Sequence, residues 1–309
     1  RRLGSRMAFL GMQYIMTFLL VIVSLYFNKH LQYLLNTPPG FRTEGIIEAK
    51  LIYESNDSGS YNAEYREARK KAISHIDSQL NQCPDIEQWT AIPWSIIGFD
   101  YRTNYSKGEG ETYQLNQFIA TPEFFEIFDI PVLEGIIPKT GYNDRTIYQI
   151  ANRSAMKVLG YDSCENAVLY KENMRGFMPE TISGVVEDYF GLHINLGIRP
   201  TIFNVAYYYP GDVYQIACRP GKVEAVIDYL KNVEKEVYGA SDFEYSLIAD
   251  KVSKLYQEDK RIAGIYTLFS GIAILIICLG LFGISLFDIR QRYREIAIRK
   301  VNGAGLKDL

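Results

Sequence analysis

Apolar residues are laid out in two ways along this chain. Near each end they run on with no charge among them, over residues 7–27 and again over 262–287. Between these runs they recur at the short periods of strands and helices. A bilayer core takes ~20 apolar residues at ~1.5 Å rise per residue, so either run is long enough to cross one. Core helices of soluble proteins rarely stay uncharged for so many turns. The second run is preceded by polar turns carrying Asp250, Lys251, Lys254, Glu258, Asp259, Lys260 and Arg261, and no proline falls between residues 247 and 304. One unbroken helix from residue 248 to 288 is therefore predicted, ~60 Å long at ~1.5 Å per residue.

The middle of the chain reads as alternating short elements. Residues 45–53 form a strand, Asn56–Ser60 a loop, and 62–80 a helix with Ala68, Ala72, Ile73, Ile76 and Leu80 on one face, ended by Cys83-Pro84. Residues 87–99 are extended with a break at Pro93, and 112–120 is a strand. Thr121-Pro122-Glu123 is a helix start, with a cap, proline in the first turn and an acid behind it, and Phe124, Phe125 and Phe128 form its apolar face. A strand at 146–150, a helix at 152–159 closed by Gly160 and a strand at 180–188 follow. Residues 201–209 and 212–218 read as strands joined at Pro210-Gly211, 222–238 as a helix and 243–248 as a last strand. Tyr207, Tyr208 and Tyr209 suit a half-buried strand better than a stacking platform.

The fold class expected is α+β: two transmembrane helices flanking an exported two-subdomain α/β domain, a split βαβ-type sheet with an inserted smaller subdomain. The divisions are 1–36, flank and first membrane helix; 37–118, first part of the domain; 119–200, the inserted subdomain; 201–247, its second part; 248–288, stalk and second membrane helix; and 289–309, a cytoplasmic segment.

Charge orients this layout. The net charge of −3 is strongly partitioned: Arg1, Arg2 and Arg6 put +3 before the first run, and residues 288–309 carry another +3, which leaves −9 between the runs. Basic flanks outside both spans place both termini in the cytoplasm and the acidic middle across the membrane. A cleaved signal peptide fits less well, because the first run is too long and no small-x-small site precedes Asn36. Cys278 lies in the second run, and Cys83, Cys164 and Cys218 are scattered through the middle with no C-x-x-C, which allows at most one disulfide there. His30, His75 and His193 are far apart, so no metal site is expected and no cofactor either. G-x-S-x-G, H-E-x-x-H and Walker A patterns are missing, and Gly98, Gly108, Gly110 and Gly303 do not form a phosphate cradle. The chain is expected to be non-catalytic. Its terminal basic run, beside a membrane span, suits lipid headgroups or a cytoplasmic protein and not nucleic acid.

The segment REIAIRKVNGA, Arg294 to Ala304, after an apolar run ending GISLFDIRQR, resembles the signature "R-E-I-[AG]-I-R-[KR]-x-x-G-A" of FtsX-like ABC-transporter permeases. Arg294, Glu295, Ile296, Ile298, Arg299, Lys300, Gly303 and Ala304 fall on it. FEIFDIPVLEG, IANRSAMKVLG and TISGVVEDYFG are similar to the MacB-type periplasmic core domain, although Ala167-Val168-Leu169-Tyr170 stands where that pattern has I-G-K and Asn152-Arg153 where it has Asn-Glu. The resemblance implies a permease fragment in a bacterial inner membrane, paired with a cytoplasmic ABC ATPase that hydrolyses ATP in a separate chain. It implies a homo- or heterodimer of permeases, a periplasmic or outer-membrane partner, and transmission of ATP-driven movement to the periplasmic domain for export or efflux. Arg294, Glu295, Ile298, Arg299, Lys300 and Gly303 are the residues expected to touch or position the ATPase, with Asn302-Gly303 stopping the helix. Ile289, Tyr293, Ile296 and Lys300 share one helical face. The competing reading is a transmembrane receptor with an extracytoplasmic sensing domain, which has the same layout; the segment after the second span lacks the early proline common at the start of a receptor's signalling helix pair.

Overall fold

The computed structural model describes residues 2–53, 63–108, 111–139, 146–173, 176–206, 211–239 and 243–301. The expected loop at Asn56–Ser60, the run Tyr207–Tyr209 with Pro210, and the helix stop at Asn302-Gly303 lie outside them. The fold is mixed α and β, with an apolar helix at either end and a sheet-rich domain between. It divides into two compact units, Arg1–Thr37 with Tyr256–Leu309, and Pro38–Leu255.

The first unit is a helix pair, α1 (Arg2–Asn36) and the last helix, α7 (Gln257–Val301). Helix α1 ends where Thr37-Pro38-Pro39 begins, because a proline disfavours helical backbone in the residue before it and offers no N–H. The Thr37 amide and hydroxyl both donate to the Tyr33 carbonyl, at 3.0 and 2.7 Å, and close the final turn.

In the second unit, β1 (Ile46–Lys50), β2 (Ile86–Ile92), β10 (Val213–Cys218) and β11 (Tyr245–Leu247) form a four-stranded antiparallel sheet in the order β11-β1-β10-β2. Helices α2 (Ala63–Gln82) and α5 (Val223–Tyr238) pack on one face. Ile47, Ala49, Tyr214 and Ile216 from the strands meet Ile76, Leu80, Val226 and Leu230 from the helices there.

The second sheet holds β3 (Arg102–Ser106), β4 (Thr112–Ala120), β5 (Val132–Gly135), β6 (Tyr148–Asn152), β7 (Val168–Asn173), β8 (Gly176–Val186) and β9 (Thr201–Val205), in the order β5-β8-β6-β9-β4-β3-β7. Because β7 also pairs with β8, the sheet closes on itself. This differs from the expected partition. Strands β4 and β9, assigned from the pattern to the first sheet, lie side by side in the second, parallel, from Asn116↔Thr201 to Ala120↔Val205. Both are buried on two faces: Ile202 joins one core with Leu115 and Ala151, while its neighbour Phe203 joins another with Phe118 and Phe124. A strand covered on both sides carries no alternation to say which sheet it enters.

Two short helices follow β4 and β6. In α3 (Pro122–Ile127), Pro122 stands in the first turn, and Phe124 and Phe125 are buried. The side chain of Asn152 caps α4 (Arg153–Leu159) by accepting from the Ala155 amide at 2.9 Å, and it also accepts from the Thr201 amide at 2.8 Å. Gly160 ends α4 in the left-handed conformation, φ 65°, that a side chain would penalise. Gly135 is required for closeness: a Cβ there would stand 2.3 Å from the Ser183 carbonyl oxygen.

The helix expected to be unbroken from residue 248 is two helices. Ile248–Leu255 forms α6, Tyr256 is a turn, and α7 begins at Gln257. No proline is needed for this. Ile248 is buried in the domain core and Val252 packs against it, so the short helix follows the sheet, whereas the uncharged run of α7 begins only at Ile262. Removing proline removes one cause of a break, but packing on the domain supplies another.

Candidate functional site

Among the described residues, two stretches are long and apolar enough to cross a membrane, Gly11–Asn36 and Gln257–Gly283. Their apolar side chains face outward: Phe18, Leu25, Leu275 and Leu279 are all exposed. A helix with an outer surface of this kind needs lipid, not water, around it.

Small and polar side chains are among those turned inward in the helix pair. Thr17, Ser24 and Ser270 are buried. The Asn28 side-chain amide donates to Thr267 Oγ1 at 2.8 Å, and the Ser270 hydroxyl donates to the Leu20 carbonyl at 3.0 Å. Phe27 and Tyr266 stack with centroids 4.7 Å apart. Lipid tails are as apolar as leucine, so close backbone approach and interhelical hydrogen bonds, not hydrophobicity, hold such a pair. The contacts step down α1, from Asn28 to Leu20, while they step up α7, from Thr267 to Ser270. The helices are thus antiparallel, and the start of α1 lies on the same side as the end of α7.

That end carries the sequence-predicted site. Helix α7 does not stop with the apolar run and continues through Val301, so Arg294, Glu295, Ile298, Arg299 and Lys300 are all helical in backbone. Arg294 is exposed and Ile298 is 55% exposed; four residues apart, they are neighbours on one face. Ile289, Tyr293 and Ile296 are also exposed. The side chains of Glu295, Arg299 and Lys300, and all of Gly303, lie outside the described residues.

A second constellation escaped the sequence reading. Glu48, on β1, is 8% exposed. It accepts from the Gln215 side-chain amide at 2.8 Å and is ion-paired with Lys251 on α6, which also donates to Ser95 Oγ at 3.3 Å. This pair, with Glu48 buried and Lys251 half-buried, fastens α6 to the sheet. Its only trace in the sequence is one acid inside the otherwise apolar run Ile46–Ala49, since charges are seldom buried unless paired.

Other chemistry is quiet. Cys83, Cys164 and Cys218 are free and buried. Burial pushes the Cys218 thiol up to about 12, with Cys83 adding to the effect, so it stays a protonated, unreactive thiol. Among the described residues no three His, Cys, Asp or Glu gather as a metal would need.

Two solved structures are similar to this chain. The periplasmic region of MacB from Actinobacillus actinomycetemcomitans matches 73% of this chain and 98% of its own, with 12% identity and a TM-score of 0.48. The extracellular domain of the ABC-type transporter YknZ from Gram-positive bacteria matches 65% of this chain and 98% of its own, with 11% identity and a TM-score of 0.43. No protein-family model and no curated protein matches the chain.

Proposed function

We propose that this chain is a permease subunit of an ABC transporter, carrying ATP-driven movement from a cytoplasmic ATPase to an exported domain. The observation that carries the reading is the continuity of α7: one helix runs from Gln257 across the membrane-length stretch and on to Val301. At ~1.5 Å per residue its 45 residues span ~67 Å, more than twice the ~30 Å of a bilayer core. A helix that only anchored the domain would have no need to extend its backbone order so far beyond the apolar run. The antiparallel pairing with α1 brings both basic flanks to one side, as the charge partition requires of a cytoplasmic face. The stiff element in this account is α7 alone, not the longer rod from residue 248.

In this reading Arg294, Glu295, Ile298, Arg299, Lys300 and Gly303 form the contact with the ATPase, which hydrolyses ATP in a separate chain. The exposed apolar side chains of Ile298 and Tyr293 are what a protein partner covers and a lipid headgroup does not. The permease works as a homo- or heterodimer in a bacterial inner membrane, with a periplasmic or outer-membrane partner taking the exported cargo. The double variant Arg299→Glu, Lys300→Glu tests this. Copurification of an ABC ATPase with the unmodified full chain, and its loss with the variant while the sheet domain keeps its protease resistance, is the expected result. An unmodified chain that brings down no ATPase, or a histidine-kinase-type partner in its place, would turn the reading towards a receptor.

A further inference from the structure

On the α2 side of the first sheet, a cleft of about 510 Å³ opens between α2, β2 and the start of α3. Its floor is an aromatic pair, Trp89 stacked on Tyr214 with centroids 5.7 Å apart and planes 30° from parallel. Trp89 is held in place by its indole N–H, which donates to Asn81 Oδ1 at 3.0 Å. The Tyr214 hydroxyl donates to Asp77 Oδ1 at 3.2 Å. One tyrosine therefore ties a carboxyl on α2 to an indole face on β2, both of them lining the same space.

The lining is acidic in one sense only. Asp77, Glu87 and Glu123 contribute carboxyl groups, and no Lys, Arg or His lines the cleft among the described residues. Glu87 has its own cation in Arg42, at 3.1 Å. Asp77 is bonded, among the described residues, to the neutral Tyr214 hydroxyl alone. Burial pushes its carboxyl up to about 6, against the opposing pull of the Tyr214 hydrogen bond. A half-buried carboxylate with no counter-ion gains most from a cation brought in from outside, and an indole face beside it suits the apolar body attached to that cation. The volume falls in the ~300–1,000 Å³ range of small-molecule sites.

We propose that this cleft binds an amphipathic organic amine, with its ammonium on Asp77 and its apolar body against Trp89. The carboxyl groups disfavour an anion, and a wholly apolar ligand would bury Asp77 further with nothing to compensate it. The site rests on the cleft alone and holds whether or not the chain works with an ATPase.

The chain has two tryptophans, Trp89 and Trp94, so Trp94→Phe makes Trp89 the sole indole reporter. The full chain with this change, in lipid nanodiscs at neutral pH, is titrated with phenylbutylammonium and with its uncharged counterpart phenylbutanol. The expected result is a saturable change in Trp89 emission, with the amine binding at least ~10-fold more tightly than the alcohol. Asp77→Asn on the same background brings the amine down to the level of the alcohol. Equal binding of amine and alcohol, no saturable change, or an amine affinity unmoved by Asp77→Asn overturns the proposal. Should Asp77→Asn fail to fold, the amine-to-alcohol ratio on the chain with Asp77 intact decides the matter.

Discussion

In α7, Leu279 is 70% exposed, while in the sheet domain Phe118, Phe124 and Phe203 are exposed by no more than 1%. The helix pair turns most of its apolar side chains outward and buries Thr17, Ser24 and Ser270; the sheet domain buries phenylalanines and, among the described residues, leaves nearly all its charges outside, Glu48 and Glu234 excepted. Both arrangements obey one rule, that each surface must match the medium beside it. The comparison teaches that the energy holding the two units comes from different sources. The domain depends on withdrawing area from water, and the helix pair on fit and hydrogen bonds, since its apolar surface stays in an apolar medium either way.

The sharpest test of this contrast is a matched truncation. Phe203→Ala removes a ring from the domain core and is expected to cost ~3–5 kcal/mol. Leu279→Ala on the outer face of α7 leaves lipid to fill the space and should cost well under ~1 kcal/mol. Urea titration of the full chain in nanodiscs, read by protease resistance of the domain for the first variant and by helix-pair cross-linking for the second, separates them. Similar losses for both would mean that Leu279 is packed against protein.

A slightly smaller loss is expected at the α6 anchor. Lys251→Met leaves Glu48 buried without its cation and should cost ~3 kcal/mol, while adding Glu48→Gln removes the stranded charge and restores most of the loss. A single variant as stable as the parent, by the same urea titration, would show that the pair is hydrated and not fastening α6.

Inside the helix pair, Asn28→Ala deletes the bond to Thr267 and should weaken the pair by ~1 kcal/mol, with the double variant Asn28→Ala, Thr267→Ala little worse than either single change. Additive losses would place the two side chains apart. The smallest effect is a pH slope confined to the domain. Asp77 keeps its proton up to about 6 in the fold, against an ordinary value of 3.8. Between these values the folded chain binds the proton more tightly than the unfolded one, so this group's contribution is present below about pH 4 and lost as pH rises through about 6. Solvent screening at a half-buried site keeps the amplitude modest. Stability measured across this window for the parent and for Asp77→Asn should diverge in that direction, and parallel curves would remove Asp77 as their source.

Both apolar stretches, the helix on 62–80 and the glycine stop of the helix on 152–159 were legible in the sequence, because each is written in neighbouring residues: an uncharged run, a spacing of three and four, and a glycine after the last turn. The division of strands between two sheets was not. Strands β4 and β9 lie far apart in the chain, and a strand buried on both faces has no polar side to reveal its neighbours. The candidate site split along the same line. The basic segment from Arg294 to Lys300 is contiguous and could be picked out directly, whereas Glu48 with Lys251, and Asp77 with Trp89, come together only when the sheet is assembled.

What the sequence determined by itself is therefore whatever depends on local composition: which stretches can enter lipid, which flank is basic, and where most helices begin and end. The tertiary structure alone decided which strands pair, that the helix breaks at Tyr256, and that a carboxyl and an indole share a cleft. The physical reason is that these outcomes are set by competition among distant surfaces for burial, and no window of neighbouring residues contains both competitors.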